Sequence, residues 1–303
     1  MASQPRTLDE PVGRRALRRS TAKLVDLWRA RELLVQLVRK ELKVRYRNST
    51  LGFLWSMLTP VLMTVVFSVV FTLIVPIEVG DFPAFFIAGY LLWQFFQNSC
   101  QGAIHSIVGN GDLVKKVYFP REVLPLSHVL AQLIHLLLAL LVISPFLVLT
   151  RGIGVVVHLP ATLLAVVLLT VFVSGVAMWF AGVNVVFRDL QELFVVIFQV
   201  WFYTTPVLYP LALVRAVVPA PYAWLETVLK LNPMTWFIEV FRQPLYGPVT
   251  TTGAAPPQPP VTDALPGWPP VSSFGIAAAW ACLAFVLGYV VFLRRARTFA
   301  KEV

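Results

Sequence analysis

Three histidines and five amides are the side chains whose type and spacing could do chemistry inside an apolar setting. Gln94, Gln97, Asn98, Gln101 and His105 share one helical face of the segment 84–108. His128, Gln132 and His135 share one face of the segment 122–149. Such groups either hydrogen-bond helix to helix or form the polar wall of a path through an apolar phase. No carboxylate or Cys joins the histidines, so no metal site is expected. A second set is ionic: Arg39, Lys43, Arg45 and Arg47 lie in the segment 31–47, and Glu41 precedes Arg45 by four residues, the order that favours an ion pair on a helix. There is no GxxxxGK(S/T) phosphate loop, GxGxxG turn, HExxH or GxSxG. Glu78 and Asp81 are the only obvious acidic pair, in a very short loop. The chain is therefore expected to be no enzyme, to hydrolyse no nucleotide and to carry no cofactor of its own.

The elements that must position these residues are membrane spans. The 303 residues are 58% hydrophobic and 13% charged, with mean hydropathy +0.75. A soluble domain of this size carries about a quarter charged residues. Six apolar runs are long enough to cross a bilayer, at 51–75, 84–108, 122–149, 157–183, 190–210 and 274–293. With the N-terminus inside, 21 of the 25 Lys and Arg fall on the inner face, which sets the orientation and predicts both termini in the cytoplasm. The formal charge of +10 thus suits a membrane surface better than nucleic acid. Residues 1–26 form a basic cytoplasmic tail without a signal peptide, and 294–303 a second basic tail. Cys100 and Cys282 sit in apolar runs and read as small hydrophobes, not a disulfide.

Four further segments have a definite pattern. Residues 27–47 predict an amphipathic interfacial helix, basic on one arc and apolar on the other. It is either a surface anchor or a gate helix whose register is fixed by Glu41 and Arg45. Asn48, Ser49 and Thr50 then cap the first span. The loop 109–121 predicts a short helix carrying Asp112, Leu113, Lys115, Lys116, Tyr118, Phe119 and Arg121. Its apolar and aromatic residues suit a partner's groove more than a solvated loop. In the fifth span Phe194, Phe198, Trp201 and Phe202 recur on one face, to pack against helices or stack on sugar rings. Residues 206–246 are too broken by proline for a clean span and predict short re-entrant or outer helices. Residues 248–270 hold eight prolines and predict an extended outer loop that packs no core.

Four stretches resemble one known family: RKELKVRYRNSTLGFLWSMLTP at 39–60, DLVKKVYFPREVLP at 112–125, NVVFRDLQELF at 184–194 and LNPMTWFIEVFR at 231–242. The chain is similar to the permease subunit of type 2 ATP-binding-cassette exporters, in the polysaccharide-export branch that serves O-antigen, teichoic acid or galactan. The resemblance covers nearly everything from residue 30. It implies an all-α integral membrane protein of six transmembrane helices, working as a homodimer with two copies of a separate ATPase that holds ATP and Mg. It implies that 109–121 is the coupling helix docked in that ATPase. It also implies that the path lies between the first and fifth spans of the two copies, with Trp55, Phe67, Phe194, Phe198, Trp201 and Phe202 facing the glycan. The 248–270 loop is longer than the family pattern.

The expected function is export of a lipid-linked polysaccharide across the bacterial inner membrane, with Arg39, Lys43, Arg45 and Arg47 receiving the diphosphate of the carrier. Rival readings are a permease of the same family for a lipid, drug or peptide, and a polytopic glycosyltransferase or acyltransferase. A passive channel is a third, but it has no use for an apolar, aromatic coupling segment.

Overall fold

The computed structural model describes residues 30–46, 53–75, 77, 79–117, 119–187, 189–251, 260–261, 265–296 and 299. The expectations for the N-terminal tail, Arg47, the cap at Asn48–Thr50, Glu78, Tyr118, nearly half of the proline-rich loop and most of the C-terminal tail fall outside these residues.

Helix α1 (Arg31–Tyr46) is followed by α2 (Phe53–Val69), whose last turn widens into a π-helix at Val70–Ile74. Helix α3 (Phe82–Ser106) follows, then a 3-10 turn (Val108–Asn110) and the six-residue α4 (Gly111–Lys116). Helix α5 (Val123–Arg151), a single turn α6 (Gly154–Val157) and α7 (Leu159–Asn184) come next. Helix α8 (Leu190–Tyr203) leads into three short helices, α9 (Leu211–Val217), α10 (Trp224–Leu231) and α11 (Pro233–Leu245). Helix α12 (Val271–Ala296) closes the order. Strands β1 (Thr250–Thr251) and β2 (Pro260–Val261) pair antiparallel, so the proline-rich loop doubles back on itself instead of staying extended. Its far end also packs, contrary to expectation. Pro266 is buried against Gly154, and the Gly267 amide donates to the Gln243 carbonyl at 3.2 Å.

Local sequence explains most boundaries. Proline fits the first turn of a helix, where its missing N–H has no partner to lose, and it stands there in α3, α7 and α11. Asn232 caps α11 by accepting from the Met234 amide at 3.0 Å. Pro60 lies inside α2, and the carbonyl of the same residue accepts from the Thr64 hydroxyl at 2.7 Å.

Among the described residues four helical stretches are long and apolar enough to cross a membrane: Leu54–Ile74, Val123–Arg151, Leu159–Asn184 and Val271–Ala296. The second and fifth expected spans differ. Helix α3 has the length, at 25 residues, but its polar stripe dilutes its hydropathy. Helix α8 has only 14 residues and stops at Tyr203, where the chain turns, short of the expected 210.

Helix α3 forms the centre, packed by α2, α5, α7, α8 and α11. Its aromatic residues organise the main core. Phe96 lies 5.0 Å from Phe198, 5.0 Å from Trp201 and 5.7 Å from Phe172, and Trp93 lies 5.4 Å from Phe202. Offset and edge contacts of this kind add to the burial itself. Helices α7 and α12 make the most intimate pair, because small residues let their backbones touch. A Cβ at Gly288 would collide with the Gly175 carbonyl, and a Cβ at Gly175 with the Ala284 backbone. A second, separate core joins Leu37 of α1, Val114 of α4, Val123 and Leu124 of α5, Met178 and Ala181 of α7, and Phe292 of α12 with Phe299.

Candidate functional site

The second core places two of the expected functional segments at one end of the molecule. Helix α4 is helical only over Gly111–Lys116, shorter than the 109–121 anticipated. Val114 is its anchor, 4% exposed in the core shared with α1 and α12. Asp112, Lys115, Lys116 and Val117 are exposed, while Leu113 and Phe119 are half-buried beside the core. Lys116 reaches back to Asp112 at 3.5 Å, a solvent pair that orders little. Arg121 faces inward instead of toward a partner: its Nη1 donates to the Ala296 carbonyl at the end of α12, and its guanidinium lies 5.9 Å from the Phe299 ring. Sequence reading missed this tie. A cation close before a span, facing a distant C-terminal carbonyl, has no local signature.

Helix α1 lies along the start of α5 and shares the second core with Val114 of α4. Leu37 and Val38 are buried, and Val35 and Val44 of the expected apolar arc remain exposed. The expected Glu41–Arg45 pair does not form. Each side chain crosses to α5 instead. A Glu41 carboxylate oxygen stands 3.4 Å from His128 Nδ1, and Arg45 Nη1 donates to Gln132 Oε1 at 2.8 Å. The partners are four residues apart on both helices, so α1 and α5 run in the same direction with matched turns. Lys40 Nζ adds a bond to the Asn110 side chain at 3.3 Å, just before α4. Gly102 of α3 makes room for His128, since a Cβ there would come within 2.8 Å of Nδ1. Arg39 and Lys43 point away and are exposed. Arg45 is thus committed to the protein, and Arg39 and Lys43 are the described cations of that set on the open face.

The polar stripes of α3 and α5 meet as their spacing suggested. Gln94 and Asn98 face Gln132 and His135 around a small cleft walled by Leu91, Phe95, Leu136 and Ala139. Gln97 instead accepts from the Trp93 indole at 3.0 Å, and Gln101 and His105 are exposed. Among the described residues no three His, Cys, Asp or Glu come together to hold a metal ion.

The expected aromatic wall divides. Phe194 and Phe198 are 2% and 0% exposed, stacked at 4.0 Å and closed in by Phe180 and Phe96. They are core residues, because the apolar stripe of α8 was taken up by α3 and α7. Trp201, Phe202 and Phe67 are half-buried, and Trp55 is 54% exposed. The open face of α8 is aliphatic instead: Leu193, Val196 and Val200 are 55%, 60% and 60% exposed.

At the far end, Asp81 adopts a left-handed φ of 47° before α3, and its carboxylate takes Arg151 Nη1 at 3.1 Å. Arg151 also donates from Nε to the Tyr246 carbonyl at 2.9 Å, and the Tyr246 hydroxyl donates to the Gly80 carbonyl. Asp81 therefore clips α3, α5 and α11 together and is engaged in structure, against the membrane-enzyme reading. Nearby, α9 and α10 form a hairpin held by Arg215, Glu226 and Lys230. Hydrogen bonds from Arg215 and then Lys230 hold the Glu226 carboxyl down to about 2.

Comparisons with known proteins give the family. A sequence profile described as ABC-2 type transporter matches residues 32–246. The chain is 33% identical over 214 residues to the O-antigen export system permease protein RfbA of Klebsiella pneumoniae, covering 70% of this chain and 79% of that one. It is 36% identical over 223 residues to the protein of the same name from Myxococcus xanthus, covering 73% and 83%. It is 26% identical over 238 residues to the capsule polysaccharide export inner-membrane protein CtrC of Neisseria meningitidis serogroup A, covering 77% and 86%. The profile takes in the chain from α1 through the polar seam to the last of the short helices, and the chain belongs to the ABC-2 type transporter family.

Proposed function

We propose that this chain is the membrane subunit of an ATP-driven exporter that moves a lipid-linked polysaccharide across the bacterial inner membrane. Two copies pair with each other and with two copies of a separate ATPase, which supplies the ATP and Mg sites. The names of the relatives support the cargo, and one geometric observation supports the mechanism. Helix α4 exposes Asp112, Lys115, Lys116 and Val117 while Val114 roots it in a core shared with α1 and α12. A push on α4 is then delivered to the gate helix and to the end of the last helix together, because a packed core transmits displacement rather than absorbing it.

In this reading α3 and α8 complete six spans, with both termini inside. The Gln94 and Asn98 part of the α3 stripe is tolerated because it faces α5, and α8 with the turn after it reaches into the short helices α9–α11 at the exit. Helix α2 keeps a largely exposed apolar surface, including Leu58, Leu62 and Val65 at 40%, 51% and 55%, which suits the second copy and lipid. Arg39 and Lys43 on the open face of α1 receive the carrier diphosphate.

Depleting the protein in its host tests the reading. One polyprenyl-linked polymer is expected to accumulate in the inner leaflet while its surface product falls. If no lipid-linked glycan accumulates, the cargo is something else.

A further inference from the structure

Outside the gate and coupling segments, the exit end of the protomer holds a half-open pocket of about 60 Å³ between the turn that ends α8 and one face of α11. Its polar side is Glu239, Arg242 and Gln243, which share a face of α11 at spacings of three and four. Its other side is aliphatic, with Pro206, Pro210 and Leu211.

Arg242 is the rigid member. It is buried, its guanidinium carbon lies 3.8 Å from the Phe85 ring centroid, and it occupies the room left by Gly89, where a Cβ would collide with Nη2. Nη2 donates to the carbonyls of Pro206 and Val207 at 3.0 and 3.2 Å. Its Nε is buried with no hydrogen-bond partner, a donor still to be satisfied. Glu239 accepts only a long bond, 3.4 Å, from the Gln243 amide and lines the pocket beside Arg242, so its carboxylate keeps acceptor capacity there.

The pocket therefore offers a two-oxygen acceptor, an amide that gives and takes, and a fixed cationic donor against C–H walls. A hydrocarbon leaves all three unsatisfied. A phosphate or carboxylate is opposed by Glu239, and a cation by Arg242. A vicinal diol on a saturated ring satisfies them: its hydroxyls donate to the carboxylate and accept from the amide and guanidinium, while ring C–H groups meet proline and leucine. We propose that this pocket is a subsite for the hydroxyl edge of one pyranose unit of the exported chain. It rests on the polysaccharide reading above and gives the chain a foothold as it leaves.

The test uses the full-length protein in lipid nanodiscs. Saturation-transfer NMR is run with methyl glycosides of glucose, galactose, mannose and rhamnose as probes and with inorganic phosphate as a competitor. Two variants act by different means: Glu239→Leu with Gln243→Leu removes two of the three polar groups, and Ala212→Phe fills the space. At least one glycoside is expected to show transfer to protons beside its vicinal hydroxyls, without competition from phosphate. Both variants should weaken it about fivefold or more, as loss of hydrogen bonds to charged groups does. In the host, both should lower surface polymer at normal protein level. Absence of transfer from every glycoside, transfer that persists in both variants, or displacement by phosphate overturns the subsite. If depletion of the whole protein leaves surface polymer unchanged, the polysaccharide reading has failed. If depletion stops export but both variants export normally and bind no glycoside, only the subsite has failed.

Discussion

Gly175 and Gly288 decide how close α7 and α12 come. Replacing Gly288 with Ala pushes a methyl into the Gly175 carbonyl, so the helices must separate along a long contact. Overpacking of this kind costs about 1–3 kcal/mol. The expected result is a lowered thermal midpoint in detergent for Gly288→Ala. Gly275→Ala in the same helix is the control, because a Cβ there meets nothing within 4 Å and the midpoint should hold. Glu226 makes a second prediction by titration. Its carboxyl is held at about 2 against an ordinary 4.5, so the folded pKa is depressed. The Arg215–Glu226–Lys230 contribution is then complete above about 4.5 and is lost as pH falls from there through about 2. Hydrogen exchange across 211–231 should rise over that window, and Glu226→Gln should remove the pH dependence.

Helix α4 buries one apolar side chain and leaves its neighbours open. Val114 is buried, whereas Val117, just past the helix, is 51% exposed and Lys115 is solvated. Val114→Asp is expected to lower the thermal midpoint, because it buries a charge with no partner. Val117→Glu with Lys115→Glu is expected to leave the midpoint unchanged and abolish co-purification of the ATPase. Retention of the ATPase by that double variant would show that α4 is not the docking element. Part of this element was legible in the sequence: the apolar and aromatic residues of 109–121 marked a short helix, although Asn110 makes no side-chain cap bond and the helix ends at Lys116. The inward role of Arg121 was not, since it depends on the end of α12, far away in the chain.

For the molecule as a whole, the charge asymmetry and the structure point the same way. The basic helix α1, α4 and the Arg294–Arg295 end of α12 cluster at one end, joined by their own core. The Asp81–Arg151–Tyr246 clip and the α9–α10 hairpin lie at the other. Alkaline phosphatase fused after Val217 should therefore be active, and fused after Lys116 or Ala296 inactive. Activity after Lys116 would invert the topology. The surface of α2, and not the buried rings of α8, is where the second copy is expected to dock.

What the sequence determined by itself was set by composition and local spacing. Solvent class follows from the balance of apolar and charged residues, and the expected orientation from the distribution of Lys and Arg. Helix positions follow from apolar runs bounded by proline and caps, and the family from four local motifs. These signals are read within one or two turns of chain. Tertiary structure decided what each face meets. An aromatic stripe has the same periodicity whether it lines a path or fills a core, and α3 claimed Phe194 and Phe198 for the core. Glu41 and Arg45 have the spacing of an ion pair, yet α5 offered each a partner four residues apart. Arg242 reads as one more charge after NPMT until Phe85, Gly89 and the Pro206 carbonyl are seen around it. Partner choice is a competition among groups brought together by folding, and spacing along one helix cannot show who the competitors are.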